Sequence, residues 1–176
     1  MIALLAPLAF AAPIALTARP GGGLGFYAES SAGRVNGHAA VFTALLDLEA
    51  GTGSLVVDPA SLSTSLGPRD QRMLVYALEV PTQPELRFDV TRAWPHEAAE
   101  GQWSLSGTLK LHGVALPLVV PVTVSHEGTA VRVQGEMQLT LSDFAIPDPS
   151  VVLARFAPTV TVTFDLIGET VEETAP

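Results

Sequence analysis

Hydrophobic residues recur at every second position through much of this chain, and that period fits half-buried β-strands. Leu86, Phe88 and Val90 share one face, while Glu85, Arg87, Asp89 and Thr91 share the other. Trp103, Leu105, Gly107, Leu109 and Leu111 oppose Gln102, Ser104, Ser106, Thr108 and Lys110. Val131, Val133, Gly135, Met137, Leu139 and Leu141 oppose Arg132, Gln134, Glu136, Gln138 and Thr140, and Val160, Val162, Phe164 and Leu166 oppose Thr159, Thr161, Thr163 and Asp165. A helix of period 3.6 would mix these sets. Residues 116–124 also alternate, but Pro117 and Pro121 cannot donate to a ladder, which predicts an edge or a bulge there. The long segment 33–48 changes phase near Val41 and Phe42, as a bulge or bend near Gly37 would allow. A short strand is expected over 54–58.

Helical signals are few. Asp58-Pro59-Ala60-Ser61 reads as a helix start with proline in the first turn. Residues 69–78 read as a second short helical turn, stopped before Pro81 and Pro84. Strands with one apolar face bury it in a sandwich or in a closed barrel, and periodicity alone does not choose. Short turns between consecutive strands favour an up-and-down meander, and closure removes exposed edges. The expected fold class is all-β: a single antiparallel barrel with one or two short helical segments.

A length of 176 residues fits one domain. Nine basic against 18 acidic residues give a net charge of -9. That balance argues against nucleic acid as a partner, because displacing its counterions needs Lys and Arg clusters. It also argues against an electrostatic dock on anionic lipid. The absence of cysteine excludes disulfides, thiolate metal sites and thiol nucleophiles.

Residues 2–18 carry no charged side chain, and the first is Arg19. This Ala- and Leu-rich run, with small residues at Ala9-Phe10-Ala11 and at Ala18, reads as a signal peptide. An uncleaved anchor is the alternative, for which the run is short and interrupted by Pro7 and Pro13. The expected boundaries are a signal peptide over 1–18, a linker over 19–25, a barrel over 26–168 and an acidic tail over 169–176. A leader of this kind predicts a periplasmic or secreted protein.

Chemistry-bearing motifs are missing. His38, His96, His112 and His126 are scattered without metal-ligand spacing. His96, His112 and His126 read as solvated loop residues, and His38 falls in an expected strand. No G-x-S-x-G frame, no Gly-rich phosphate loop before a helix and no assignable carboxylate pair occurs, so neither a catalytic residue nor a metal site is expected.

Five segments carry a family pattern in order. They are Asp58-Pro59-Ala60-Ser61-Leu62-Ser63-Thr64 followed by Arg69-Asp70-Gln71-Arg72-Met73-Leu74; Pro84-Glu85-Leu86-Arg87-Phe88; Gly107-Thr108-Leu109-Lys110-Leu111-His112-Gly113-Val114 with Pro117; Ser142-Asp143-Phe144-Ala145-Ile146; and Val160-Thr161-Val162-Thr163-Phe164. Together they resemble the YceI-like family over roughly residues 33–166. The resemblance implies an extended, lipocalin-like barrel of about eight strands. It also implies an exported bacterial protein that binds polyisoprenoid lipids such as quinone tails and is not an enzyme. Three residues depart from the pattern: Arg72 stands where His is common, Leu141 where Arg is common and Ala145 where Gly is common. The family's opening strand is hard to find before Phe26.

On this reading the candidate ligand-binding residues are Phe42, Leu74, Phe88, Leu109, Met137, Phe144 and Phe164, with Gly107 and Gly135 giving room. Arg69 and Asp70 have two readings: a local ion pair or turn cap, or a polar lip touching a ligand head group. The expected partner is one apolar lipid of the isoprenoid or quinone type, with transient contact to a membrane and no other cofactor. The competing reading is a structural or interaction domain whose barrel is filled by side chains. An enzyme, which would need convergent polar groups on the cavity floor, ranks last.

Overall fold

The computed structural model describes residues 13–170. Its strands are β1 (Ile14–Ser30), β2 (Val35–Ala39), β3 (Phe42–Asp47), β4 (Thr52–Val57), β5 (Leu62–Ser63), β6 (Leu86–Pro95), β7 (Gln102–Leu111), β8 (Val114–Glu127), β9 (Ala130–Thr140) and β10 (Phe156–Thr170). Helix α1 (Gly67–Arg72) runs into a wider turn at Met73–Ala77, close to where the sequence places its second helical turn. Asp58 caps a single 3₁₀ turn, Pro59–Ser61, by accepting the Ala60 N–H at 2.9 Å.

Strands β1, β3, β4, β6, β7, β8, β9 and β10 follow one another around a closed antiparallel ring of eight, completed by pairing of β10 with β1. The apolar faces turn inward, as the alternation predicts. The segment 33–48 does change phase: β2 ends at Ala39 and β3 starts at Phe42. The break lies at Ala40 and Val41, not at Gly37, whose missing side chain makes room for the Phe26 ring on β1. The lower part of β1 pairs with β3, and the upper part with β2, which in turn pairs with β5.

The prolines of β8 find a place inside the ring. His112 and Gly113, both at positive φ, form a two-residue hairpin turn between β7 and β8. Counting from the bonded pair Leu111 and Val114, Pro117 and Pro121 fall at positions that need no hydrogen bond to β7. On the other side, the ladder with β9 covers only Thr123 to Glu127, so the proline half of β8 has an unpaired edge there. The turn Leu141–Phe144 packs against β8, β9 and β10, and Phe144 is 2% exposed.

The barrel begins earlier than the sequence reading has it. Residues 14–18, read as the end of a leader, and 19–25, read as a linker, both lie in β1. Ala18 faces Leu166 and Gly23 faces Asp165, so residues 19–22 loop out as a wide bulge. Glu169 and Thr170, read as tail, pair with Ala15 and Ile14. The rest of the leader and of the acidic tail lies outside the described residues. An ion network crosses this seam. Arg132 on β9 donates twice to Asp165 on β10, at 2.7 and 2.8 Å, and Arg19 in the bulge reaches Glu127 at 3.2 Å. The Arg132 hydrogen bonds outweigh partial burial and hold the Asp165 carboxyl below its usual value.

At the end of the barrel holding the start of β1, Ile14, Leu48, Val122, Val124 and Val131 close the interior as a packed plug. Burial of Ile14 and Leu16 contributes about 1.5–3 kcal/mol each. A chain starting at Arg19 is therefore expected to unfold at least about 3 kcal/mol more easily than one starting at Pro13, as measured by urea titration.

Candidate functional site

Above the plug the interior is hollow. A cavity of about 830 Å³ fills the other half of the barrel and opens at that end. This volume lies within the ~300–1,000 Å³ range of small-molecule sites. Its wall is almost wholly apolar, built from inward positions of the ring such as Leu16, Leu46, Phe88, Leu109, Val133 and Leu166. The filled-barrel alternative does not describe this interior.

Of the residues expected from the sequence, Phe88, Leu109, Met137, Phe144, Phe164 and Arg69 line the cavity. Phe42, Leu74 and Asp70 do not. Phe42 instead packs against both clusters of the core, at the start of β3. The turn after α1 presents Met73, Tyr76 and Ala77 to the cavity and leaves Leu74 aside. Asp70 is turned toward the chain before its own helix. Gly107 and Gly135 give room less directly than expected. A Cβ on Gly107 would collide with the Asp89 carbonyl, and one on Gly135 would meet the Phe164 ring at 2.7 Å. Gly135 thus lets the Phe164 ring lie across β9 and face the cavity.

Sequence reasoning missed much of the wall. Leu16 and Leu24 come from β1, which the leader and linker expectations concealed. At the mouth, Arg34, Arg72, Tyr76 and Asp148 join Arg69. Two of these lie in loops, where no period marks a residue as facing inward.

The mouth is held by a polar relay. The Arg69 Nε donates to Thr64 Oγ1 at 2.7 Å, and its guanidinium also donates to the Thr64 carbonyl at 2.9 Å. The Thr64 hydroxyl and N–H both donate to Asp70, the N–H at 2.7 Å, and the Ser63 hydroxyl adds a third bond at 2.7 Å. Partial burial opposes charge on Asp70, but the bonds from Thr64 and Ser63 and the nearby Arg69 outweigh it and hold the carboxyl below its ordinary value. Of the two readings of this pair, Asp70 is a structural cap, while Arg69 is both capped and at the lip.

His112 is not a solvated loop residue. Its side chain is 9% exposed, its Nδ1 lies 3.0 Å from the Phe144 carbonyl, and its Nε2 lies 3.7 Å from Glu79. It ties the β7–β8 hairpin to the turn that covers the open edge of β8. His96 also finds a partner, Ser104, at 2.8 Å. Leu141, at the position where the family pattern has Arg, is half-buried and lines the cavity. Among the described residues, no three His, Asp or Glu side chains converge as a metal site.

These features define a lipocalin-like binding barrel, closed at one end and hollow at the other. The YceI-like domain profile matches residues 23–167, and the chain belongs to the YceI-like family. Solved structures share the fold. BcnA of Burkholderia cenocepacia superposes with a TM-score of 0.75 at 18% identity, covering 84% of this chain and 96% of that one. The polyisoprenoid binding domain from Saccharophagus degradans implicated in plant cell wall breakdown gives 0.72 at 22% identity, covering 90% and 98%. The Campylobacter jejuni YCEI protein gives 0.65 at 14% identity, covering 78% and 86%. No curated protein sequence matches significantly.

Two expectations follow. Folding depresses the Asp70 pKa, so its stabilisation is complete above the unfolded value near pH 4 and is lost as pH falls through the lower folded value. Asp70→Asn should lower stability by about 1–2 kcal/mol at pH 7, and the gap between the urea midpoints of wild type and variant should narrow below about pH 4. Ala145 sits at φ 54, where a side chain costs about 1–2 kcal/mol. Ala145→Gly should raise stability by about 0.5–1 kcal/mol in the same titration, the gain being trimmed by the entropy of an added glycine.

Proposed function

We propose that this protein holds one long apolar lipid of the isoprenoid type inside its barrel, as an exported carrier or store in the periplasm or outside the cell. The observation that carries this reading is the 830 Å³ apolar cavity with a single polar rim. Membership of the YceI-like family and the fold shared with a polyisoprenoid binding domain support it. The uncharged, Ala- and Leu-rich run that precedes β1 supports export.

Burial sets the terms of such binding. Each methylene removed from water contributes ~0.8 kcal/mol, so a chain of about twenty carbons gains ~16 kcal/mol gross. That is close to the practical ceiling for non-covalent affinity before ordering costs. A bilayer offers the same apolar refuge, so net transfer from membrane to barrel is near zero. Selection then falls to the shape of the cavity, in particular to the Phe88, Phe144 and Phe164 rings and to the Leu141 wall. Carriage follows from such a balance more naturally than catalysis, and Thr64, Arg69 and Asp70 at the mouth already serve one another structurally.

Protein purified without detergent should release a stoichiometric long-chain lipid on solvent extraction, identified by mass spectrometry. Met137→Trp, which adds an indole to the cavity wall, should cut the bound lipid several-fold while costing about 1–3 kcal/mol of stability. Extracts free of lipid, together with no uptake of a pyrene-labelled long-chain alcohol by the wild type, would end this reading.

A further inference from the structure

The chain from Pro147 to Phe156 forms one lip of the cavity and is firmly built. Asp148 accepts the Ser150 N–H at 2.9 Å, and Ser150 Oγ accepts the Phe156 N–H at 2.9 Å. Val151 and Ala154 exchange backbone bonds at 2.8 and 3.1 Å, which makes a tight two-residue turn. Ser31 anchors the segment to the end of β1, its N–H donating to the Arg155 carbonyl at 2.9 Å and its Oγ accepting the Arg155 N–H at 3.0 Å. The tip of this turn is Val152 and Leu153, which are 100% and 88% exposed. Polar residues, Gly and Asn normally occupy such tips. Adjoining apolar side chains held out in water on a braced turn mark a contact surface.

Two features say what covers it. First, the tip continues the cavity mouth. Val151 lines the cavity, and Val152 shares an outer recess with Val151, Arg72 and Phe156. Across the mouth Tyr76 also lines the cavity, yet is 66% exposed. Second, the charge is unevenly spread. The chain as a whole carries -9, but Arg34, Arg69, Arg72, Arg87 and Arg155, five of its nine basic residues, line the cavity or the recess beside its mouth. Glu29 pairs with Arg34, Asp70 belongs to the relay with Thr64 and Arg69, and Asp58, Glu79, Glu85 and Asp143 lie at the same end, Glu79 beside His112 and Glu85 beside Lys110. Asp148 is engaged by Ser150 and lies near Arg155, so it offsets part of that charge. The Arg72 side chain has no hydrogen-bond or ion-pair partner among the described residues. An apolar tip, an exposed tyrosine and arginines around one opening match the interface of a phospholipid bilayer, where aromatic rings sit at head-group level and cations meet phosphates.

We propose that the barrel docks mouth-down on a phospholipid bilayer, with Val152 and Leu153 inserted among the acyl chains and Arg72 and Arg155 against the phosphates. The acidic body then faces away from the membrane, and the cavity opens directly onto the lipid phase. This goes beyond the proposed lipid binding, and it stands or falls separately from it.

Vesicle flotation tests it, with phosphatidylcholine vesicles containing a minor share of phosphatidylglycerol. The wild type should float with the vesicles. Val152→Asp with Leu153→Asp should lower the bound fraction about tenfold or more. Arg72→Ala with Arg155→Ala should lower it less, and mainly at low salt. Uptake of the pyrene-labelled alcohol from vesicle-free solution should be unchanged in the Asp double variant, which also reports that the variant is folded. A wild type that stays with the soluble fraction, or a double variant that floats equally well, overturns the docking. If either result comes with normal uptake of the alcohol, lipid binding survives. Loss of uptake in the wild type would instead sink the lipid reading.

Discussion

The pairing of β1 with β10 is the interaction on which this barrel depends. An open sheet of the same strands would wet its apolar face and leave two edges unpaired; only closure creates an interior. The seam carries unusual detail for that reason. Its register runs from Ile14 against Thr170 to Ser30 against Phe156, interrupted by the four-residue bulge over 19–22. The bulge bends β1 so that its lower part can pair with β3 and its upper part with β2. It also brings Arg19 to Glu127 and toward Asp165, adding charge pairing where the hydrogen-bond ladder is broken. Exposed pairs of this kind contribute little singly; their geometry as a network across four strands sets register more than it adds stability.

Much of the ring was legible in the residues because its strands have one wet face. Strands β6, β7, β9 and β10 appear in the sequence as clean alternation, since each has solvent on one side and the barrel interior on the other. Strand β1 was not legible. Ile14 and Leu16 alternate with Ala15 and Thr17, but the pattern is short and follows an uncharged Ala- and Leu-rich run, so composition masked periodicity. Pro20 and the three glycines after it are ordinary loop signals, and only tertiary pairing with β10 turns them into a bulge. The site divides in the same way. Wall residues on regular strands, such as Phe88 and Leu109, follow from parity, whereas Arg34, Arg72 and Tyr76 at the mouth do not. Leu74 shows the limit within a helical turn, because a wider turn rotates each residue away from its α-helical direction.

Departures from the family pattern are informative at the mouth. Ala145 occupies a left-handed position where the pattern has glycine, yet the turn it ends still places Phe144 over the open edge of β8. His112 holds that turn through the Phe144 carbonyl, and the same residue is the first of the β7–β8 hairpin turn. One side chain therefore joins two local structures that sequence analysis treats separately. Leu141, where the family pattern has arginine, lines the inner wall with an apolar side chain. The remaining cations lie at the rim, which divides the site into an apolar interior and a charged lip.

The size of the cavity bears on why such a barrel should exist with a ligand. Cavities cut into packed cores cost about 24 cal/mol per Å³. At that rate 830 Å³ would correspond to about 20 kcal/mol, above the ~5–15 kcal/mol total stability of ordinary domains. A sealed dry void of this volume is therefore not a stable design. Water is a poor filling for a wall of Leu, Val and Phe, because each buried water needs two to four polar partners. The opening at the mouth lifts part of the cost, and an apolar guest lifts the rest by restoring contacts along the wall. Binding and folding are then linked: each increment of lipid affinity is an increment of stability, by mass action. The plug at the opposite end makes this possible, because Ile14, Leu48, Val122, Val124 and Val131 supply a core that does not depend on the guest.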